Sequence, residues 1–159
     1  MTYRIRSARK EDEPIIWTAT TETFWRTVPD DERAHTDPKV FEDRFREEVE
    51  PYVRGVRGER FVAEDDAGRF LGYIIIGEVG LVYSARPIGF VFDVWVKPEH
   101  RRKGVATFLL NRAFAWCRLR GYSKLKLEVA SGNAEARALY EGTGFTAERF
   151  VMGAPVPPA

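Results

Sequence analysis

The chain has 159 residues, 44% of them hydrophobic, and a formal net charge of +1 at neutral pH. That length and apolar content suit one globular domain with a substantial core, and the near-zero charge disfavours general attraction to nucleic acid or anionic membrane. One cysteine, Cys117, excludes an internal disulfide and fits a reducing, cytoplasmic setting; no apolar run is long enough to span a bilayer or has the form of a secretory segment.

Taken in chain order, residues 3–8 alternate and predict a first strand with Ile5 inward. Residues 10–25 follow as a helix, with Glu11, Asp12 and Glu13 in its first turn and Pro14 tolerated only there. Ile15, Ile16, Ala19 and Thr23 are expected to face the core. Phe24, Trp25 and the polar stretch through Asp37 break the periodicity and read as a loop. Pro38 opens a second helix to about Val53 with the stripe Val40, Phe41, Phe45, Val49 and Tyr52, and Pro51 ends or bends it. Residues 60–64 and 69–78 read as two strands joined by Asp65-Asp66-Ala67-Gly68, a hairpin connection. A loop covers 80–87, and 90–96 is a nearly continuous apolar strand of the kind covered on both faces. Pro98 stops that ladder, and a helix is expected from about Arg102 to Arg120, with Val105, Phe108, Leu109, Ala113, Trp116 and Cys117 on its apolar stripe. Cys117 on that stripe reads as core packing. Residues 124–130 form a strand with Leu125, Leu127 and Val129 on one face and Lys126 and Glu128 on the other. Asn133 suits the N-cap of a helix over 134–141, residues 145–152 make a last strand, and 153–159 form a loose Pro-rich tail. Nothing in the composition marks a domain boundary, so 1–159 reads as one domain.

Charge is unevenly spread. Residues 97–126 carry nine lysines and arginines against one acid, whereas 27–50 carry nine acids against four bases. The basic half suits a phosphorylated ligand and the acidic half a cationic partner, although a solvated helix face explains part of each run. The start of the 105–120 helix sharpens the first reading. A helix N-terminus offers unpaired N–H groups and a positive dipole end; Arg101, Arg102 and Lys103 add charge, and Gly104 lets the backbone approach a ligand closely. Aromatic residues in this region fall on the helix's apolar stripes and form no exposed stacking platform, which argues against single-stranded nucleic acid.

The spacing Arg101-x-x-Gly104-x-Ala106 after Val96-x-Pro98 resembles the Arg/Gln-x-x-Gly-x-Gly/Ala signature of the GCN5-related N-acetyltransferases. Asn133 to Phe145, NAEARALYEGTGF, resembles that family's Asn…Ala…Leu-Tyr-x-x-x-Gly-Phe segment, and 124–133, KLKLEVASGN, resembles the corresponding strand of the ribosomal-protein alanine N-acetyltransferases. The likeness is specific over 90–145 and architectural before it.

What the resemblance implies is a mixed, mostly antiparallel, twisted α/β (α+β) sheet flanked by helices, with a splayed central strand pair. It implies acetyl-coenzyme A as cosubstrate and no metal. The amides of Arg102, Lys103, Gly104, Val105, Ala106 and Thr107, with Arg101, would cradle the pyrophosphate. Val94, Trp95 and Val96 would border the pantetheine arm, the amide of Val94 polarising the thioester carbonyl. Asn133 would bond the arm, and Tyr140, two helical turns on, would act on the leaving sulfur as general acid. Glu128 is the base by this likeness, with Asp93 its rival. Plainer readings stay open for each: Asn133 as a simple N-cap, Tyr140 as a core aromatic, Glu128 in an ion pair with Lys126.

The expected activity is transfer of acetyl to a primary amine: a protein N-terminus, a lysine or a small amine. The alternative is a catalytically silent acyl-coenzyme A-binding module. The chain after Phe145 is shorter than the terminal hairpin common in the family. The acceptor wall would then come from Trp25 and residues 26–37, or from a second copy in a homodimer.

Overall fold

We describe residues 2–158 of a computed structural model; Ala159, the end of the expected tail, lies outside them. Five strands form one sheet in the order of the chain: β1 (Arg4–Ser7), β2 (Glu59–Glu64), β3 (Phe70–Val79), β4 (Ile88–Val96) and β5 (Leu125–Leu127). The first four pair antiparallel, and β4 and β5 run parallel. Helices α1 (Glu13–Thr27), α2 (Asp30–Ala34) and α3 (Pro38–Val53) come before β2, α4 (Val105–Arg120) links β4 to β5, and α5 (Ala134–Gly142) follows.

Alternation along β2 and β3 divides the core in two. Phe61, Ala63, Ile74 and Ile76 face α4 and bury Leu109, Leu110, Ala113 and Trp116. Val62, Tyr73 and Ile75 face the other way, onto Ile16 and Ala19 of α1 and Val53 of α3. Every buried residue of these central strands thus has a helix over it, which is why β3 reads as an unbroken apolar run.

Several expectations are corrected. Ile15 is exposed, and the buried face of α1 is Ile16, Ala19 and Thr20, with Thr23 half-buried seven residues on, because the i, i+3, i+4, i+7 stripe starts at Ile16. Lys10–Asp12 is a separate 3-10 turn, and the polar stretch before Pro38 holds the short helix α2. Pro51 sits inside the last turn of α3 without ending it. Helix α4 begins at Val105, three residues after the expected start, since Arg102 and Gly104 take positive φ. Strand β5 stops at Leu127, and no strand forms over 145–152. Instead Phe145 packs on Phe114 and Tyr140, and Glu148 pairs with both Lys124 and Lys126. Beyond it Phe150, Val151 and Met152 are exposed.

Where β3 meets the end of β4, Gly72 lies opposite Val96. A Cβ there would overlap the carbonyl oxygen of Trp95 and come within 3.0 Å of Val96 Cα. Gly72→Ala is therefore expected to destabilise the fold by about 1–3 kcal/mol through overpacking against backbone. Urea unfolding monitored by tryptophan fluorescence checks it; an unchanged midpoint would show that β4 yields without cost.

Candidate active site

Between β4 and β5 the sheet comes apart. Their parallel pairing covers Gly89–Val91 against Leu125–Leu127 and then ends, so Asp93 to Val96 have a partner in β3 and none in β5. This is the splay the resemblance implies. It leaves one edge of the β4 backbone, at Val94, Trp95 and Val96, open to an extended ligand.

A bulge in β4 sets the direction of the side chains beside this gap. Ile75 pairs with Asp93 and Ile76 with Val91, leaving Phe92 as an extra residue on β4. Because of it, Phe92 and Asp93 turn to the same face of the sheet. Phe92 packs on Tyr52, ring centroids 4.4 Å apart. Asp93 meets α1 and β3: its Oδ2 accepts a hydrogen bond from the Tyr73 hydroxyl at 2.5 Å and one from Thr20 Oγ1 at 2.8 Å. Burial pushes the Asp93 carboxyl above the ordinary carboxylate range, against the two hydroxyl donors and the Val94 amide. Burial and the neighbouring Asp93 likewise hold the Tyr73 phenol well above its usual value.

At the C-terminal end of β4, Pro98–His100 form a 3-10 turn and the chain then enters α4. The amides of residues 102 to 107 donate to no backbone or side-chain acceptor among the described residues; the first paired one is Phe108, to Gly104 O at 3.0 Å. A helix leaves its first amides unpaired as a matter of geometry, and the turn before α4 extends that set. Gly104 has φ 82°, a conformation costly for side-chain-bearing residues, and a Cβ on it would meet nothing within 4 Å. The turn is therefore open to solvent, carries unpaired N–H groups, and is flanked by the exposed Arg102 and Lys103. Two of the expected phosphate ligands are partly engaged elsewhere. Arg101 Nε donates to Val96 O at 3.0 Å, tying off the end of β4, and Lys103 Nζ donates to Glu99 O at 2.9 Å. Tyr3 pins the same turn, donating to Lys103 O at 2.5 Å. Val105 is buried, and Ala106 and Thr107 are half-buried.

The third part comes from α5. Asn133 caps it, its Oδ1 accepting from the Ala136 amide at 3.1 Å. Tyr140 is half-buried against Phe145 and the α4 side of the core. Burial, with the charge of Asp93, pushes its phenol up to about 12. Asp93 lies on the α1 side of the sheet and Tyr140 on the α4 side. Glu128 lies just past the end of β5, exposed, with no ion pair among the described residues; the cation suggested for it, Lys126, is taken by Glu148 at 2.7 Å.

The Acetyltransferase (GNAT) family model matches residues 17–145. The chain belongs to the GNAT acetyltransferase family. Spermidine N(1)-acetyltransferase of Vibrio cholerae is 30% identical over 111 residues, 69% of this chain and 62% of that protein. The ribosomal protein bS18 alanine N-acetyltransferase of Salmonella typhimurium is 29% identical over 116 residues, 72% of this chain and 69% of its own. This chain therefore spans less than two thirds of the spermidine enzyme's length. Among solved structures, a GCN5-related N-acetyltransferase from Ralstonia eutropha superposes with TM-score 0.73 at 20% identity, covering 98% of this chain and 99% of the other. At that identity the likeness speaks for the GNAT fold alone.

Thr20 and Tyr73 went unmarked in the sequence. Tyr73 sits in an apolar strand where a tyrosine reads as core, and Thr20 lies four residues after Ile16, on the stripe whose phase decides its direction.

Proposed function

We propose that this GNAT chain transfers the acetyl group of acetyl-coenzyme A to a primary amine by direct attack on the thioester. The observation that carries the reading is the run of unpaired amides at 102–107, which continues the open edge of β4. A pyrophosphate on those amides would place the pantetheine arm along Val94, Trp95 and Val96. Arg101, Arg102 and Lys103 add positive charge at the same end. The Val94 amide supplies an oxyanion donor, Asn133 a polar contact for the arm, and Tyr140 a hydroxyl for the departing sulfur.

Acetyl-coenzyme A is here a cosubstrate; no metal enters the proposal. Glu128 keeps the role the resemblance gives it, at the mouth of the gap, where it draws an acceptor ammonium and takes its proton through water. An α-amino group near pKa ~8 costs about 1.4 kcal/mol to deprotonate at pH 7, and a lysine near ~10.4 nearer 5. The acceptor classes consistent with this are a protein N-terminus, a lysine and a small amine. A cytoplasmic setting completes the reading, and no helix of the described residues is long and apolar enough to cross a membrane. Thiol release on mixing the protein with acetyl-coenzyme A and a panel of amines and peptides tests it. Turnover above the amine-free rate is expected. Tight cofactor binding without turnover across the panel would instead assign an acyl-coenzyme A-binding module.

The acidic segment before α3 is the proposed outer wall of the acceptor site. Parts of it are engaged: Asp30 pairs with Arg33, and Asp37 Oδ1 caps α3 through the amides of Lys39 and Val40. Asp31 and Glu32 are exposed. Replacing Asp30, Asp31 and Glu32 by neutral residues is expected to raise KM for cationic acceptors about two- to fivefold at low salt, as exposed charges each contribute little. The affinity for acetyl-coenzyme A should be unchanged. Equal KM values at low ionic strength would remove this segment from the acceptor site.

A further inference from the structure

Tyr3 ties the start of the chain to the turn that carries the unpaired amides, 100 positions further on. Its hydroxyl donates to Lys103 O at 2.5 Å, and its ring packs on Phe108 with centroids 5.7 Å apart. Lys103 lies in the turn before α4 and Phe108 in the first turn of α4 itself, so one side chain holds both the turn and the helix it leads into. The base from which Tyr3 reaches is fixed in its own right. Thr2 N–H donates to Asp66 Oδ2 at 3.3 Å, Arg4 pairs with Glu64 across β1 and β2, and the Tyr3 ring is packed against the α4 side of the core.

The carbonyl it holds decides the direction of an amide. The peptide group between Lys103 and Gly104 is planar and trans, so the Lys103 carbonyl and the Gly104 N–H point in opposite directions. Fixing the carbonyl on the Tyr3 hydroxyl therefore turns the Gly104 N–H away from Tyr3, and that amide is one of those with no acceptor among the described residues. This peptide is also the one in the turn most free to rotate. Glycine takes either sign of φ at little cost, so a rotation about Lys103 ψ and Gly104 φ exchanges carbonyl for N–H and leaves the chain on either side in place. Turned over, it would present an oxygen where an anion needs a donor. The backbone around it is held against its own preference: Arg102 has φ 59°, costly for a residue with a Cβ, and Gly104 has φ 82°. Such conformations persist where the surroundings over-determine them. Arg101 Nε on Val96 O and Lys103 Nζ on Glu99 O brace the turn, but among the described residues only Tyr3 bonds to the Lys103–Gly104 peptide itself.

We infer that Tyr3 is a positioning residue of the cofactor site, locking the Lys103–Gly104 peptide so that the Gly104 amide faces the pyrophosphate of acetyl-coenzyme A. The inference rests on the acetyl-transfer reading and goes beyond it by assigning a part to a residue of the first strand segment, far in sequence from the motif it serves. Tyr3 touches no substrate; it acts through Gly104. Its hydroxyl lies on the carbonyl side of the peptide and the ligand on the N–H side, so the two do not compete. A thioester that lacks the pyrophosphate makes no use of that amide and should be indifferent to Tyr3.

Tyr3→Phe keeps the ring on Phe108 and removes only the hydroxyl. The freed peptide then populates both orientations, and the apparent affinity falls with the fraction that is competent to bind. Isothermal calorimetry with coenzyme A is expected to show Kd raised about three- to tenfold, the range that one neutral hydrogen bond sets. The KM for acetyl-coenzyme A should rise by the same factor, with kcat within about twofold of the unmodified protein. S-acetylpantetheine, the same thioester without the pyrophosphate, should react with equal kcat/KM in both proteins. Nitrogen-15 NMR of the ligand-free protein reads the peptide directly: the Gly104 amide should give one sharp state in the unmodified protein and exchange broadening in Tyr3→Phe. A merely structural tie between β1 and α4 would lower the melting temperature and leave Kd for coenzyme A in place, or weaken both thioesters alike. Either result, with a Gly104 amide that stays sharp, overturns the assignment and leaves the transferase reading standing. Failure of the unmodified protein to bind coenzyme A overturns the transferase reading and takes the role of Tyr3 with it.

Discussion

Gly104→Glu is expected to abolish acetyl-coenzyme A binding while leaving the protein folded. Residue 104 holds φ 82° and precedes the first residue of α4, and its missing Cβ faces open space, not protein. A glutamate there pays about 1–2 kcal/mol for the left-handed backbone, but it clashes with no neighbour. The larger effect is on the ligand. The added carboxylate would stand among the unpaired amides of 102–107 and repel a pyrophosphate from the same donors. Loss of two charge-assisted hydrogen bonds alone would cost roughly 3–6 kcal/mol, about two to four powers of ten in affinity. Isothermal calorimetry measures it directly, with Gly104→Ala separating backbone strain from charge. Alanine should weaken binding modestly and glutamate beyond detection. Near-native affinity in the glutamate variant would remove the start of α4 from the cofactor site.

Tyr140→Phe has the second large expected effect, on rate and not on binding. The phenol is pushed up to about 12, so it keeps its proton throughout any practical assay range. Handing that proton fully to a thiolate near pKa ~8.5 would be uphill by roughly 5 kcal/mol. The hydroxyl is thus suited to hydrogen-bonding the developing thiolate, with the sulfur's proton arriving from elsewhere. Such a bond strengthens as charge builds on sulfur, so its loss belongs in kcat. A fall of about 10²–10³ in kcat is expected, with acetyl-coenzyme A affinity within about threefold and the melting temperature nearly unchanged. No alkaline limb should trace to this residue below about pH 11. A variant with native kcat and lowered stability would make Tyr140 a core aromatic.

The local structure at the start of α4 and of α5 was legible in the sequence because it is written in backbone. Gly104 before an apolar helix stripe, Pro98 ending a strand, and Asn133 capping α5 each act within a few residues of their own position. They need no tertiary contact to be read. The strand and helix order followed for the same reason: the period of the apolar pattern changes from 2 to 3.6 wherever the element changes. Two boundaries slipped where local pattern and tertiary pairing disagree. Leu125 to Val129 alternates as a longer strand would, yet only Leu125–Leu127 find a partner, because β4 has bulged away at Phe92. Residues 145–152 have strand-like composition, but Glu148 is drawn to Lys124 and Lys126 and no ladder forms.

The acceptor side is where the sequence by itself falls short. In 90–96 every residue but Asp93 is apolar, so alternation cannot show where a bulge sits or which way the one carboxylate turns. A single extra residue reverses the face of everything after it. The phase of α1 was equally undetermined, since Ile15 and Ile16 are adjacent and either could lead the buried stripe. The tertiary structure decided both. It set Ile16 against the sheet, which brings Thr20 inward, and it bulged β4 at Phe92, which turns Asp93 to meet Thr20 and Tyr73. Three residues from α1, β3 and β4, the outer two 73 positions apart, become hydrogen-bonded neighbours. The sequence by itself determined the run of unpaired amides before α4 and the order of elements, because those depend on nearest neighbours along the chain. The placement of the inner carboxylate depended on register and helix phase, which packing alone resolves.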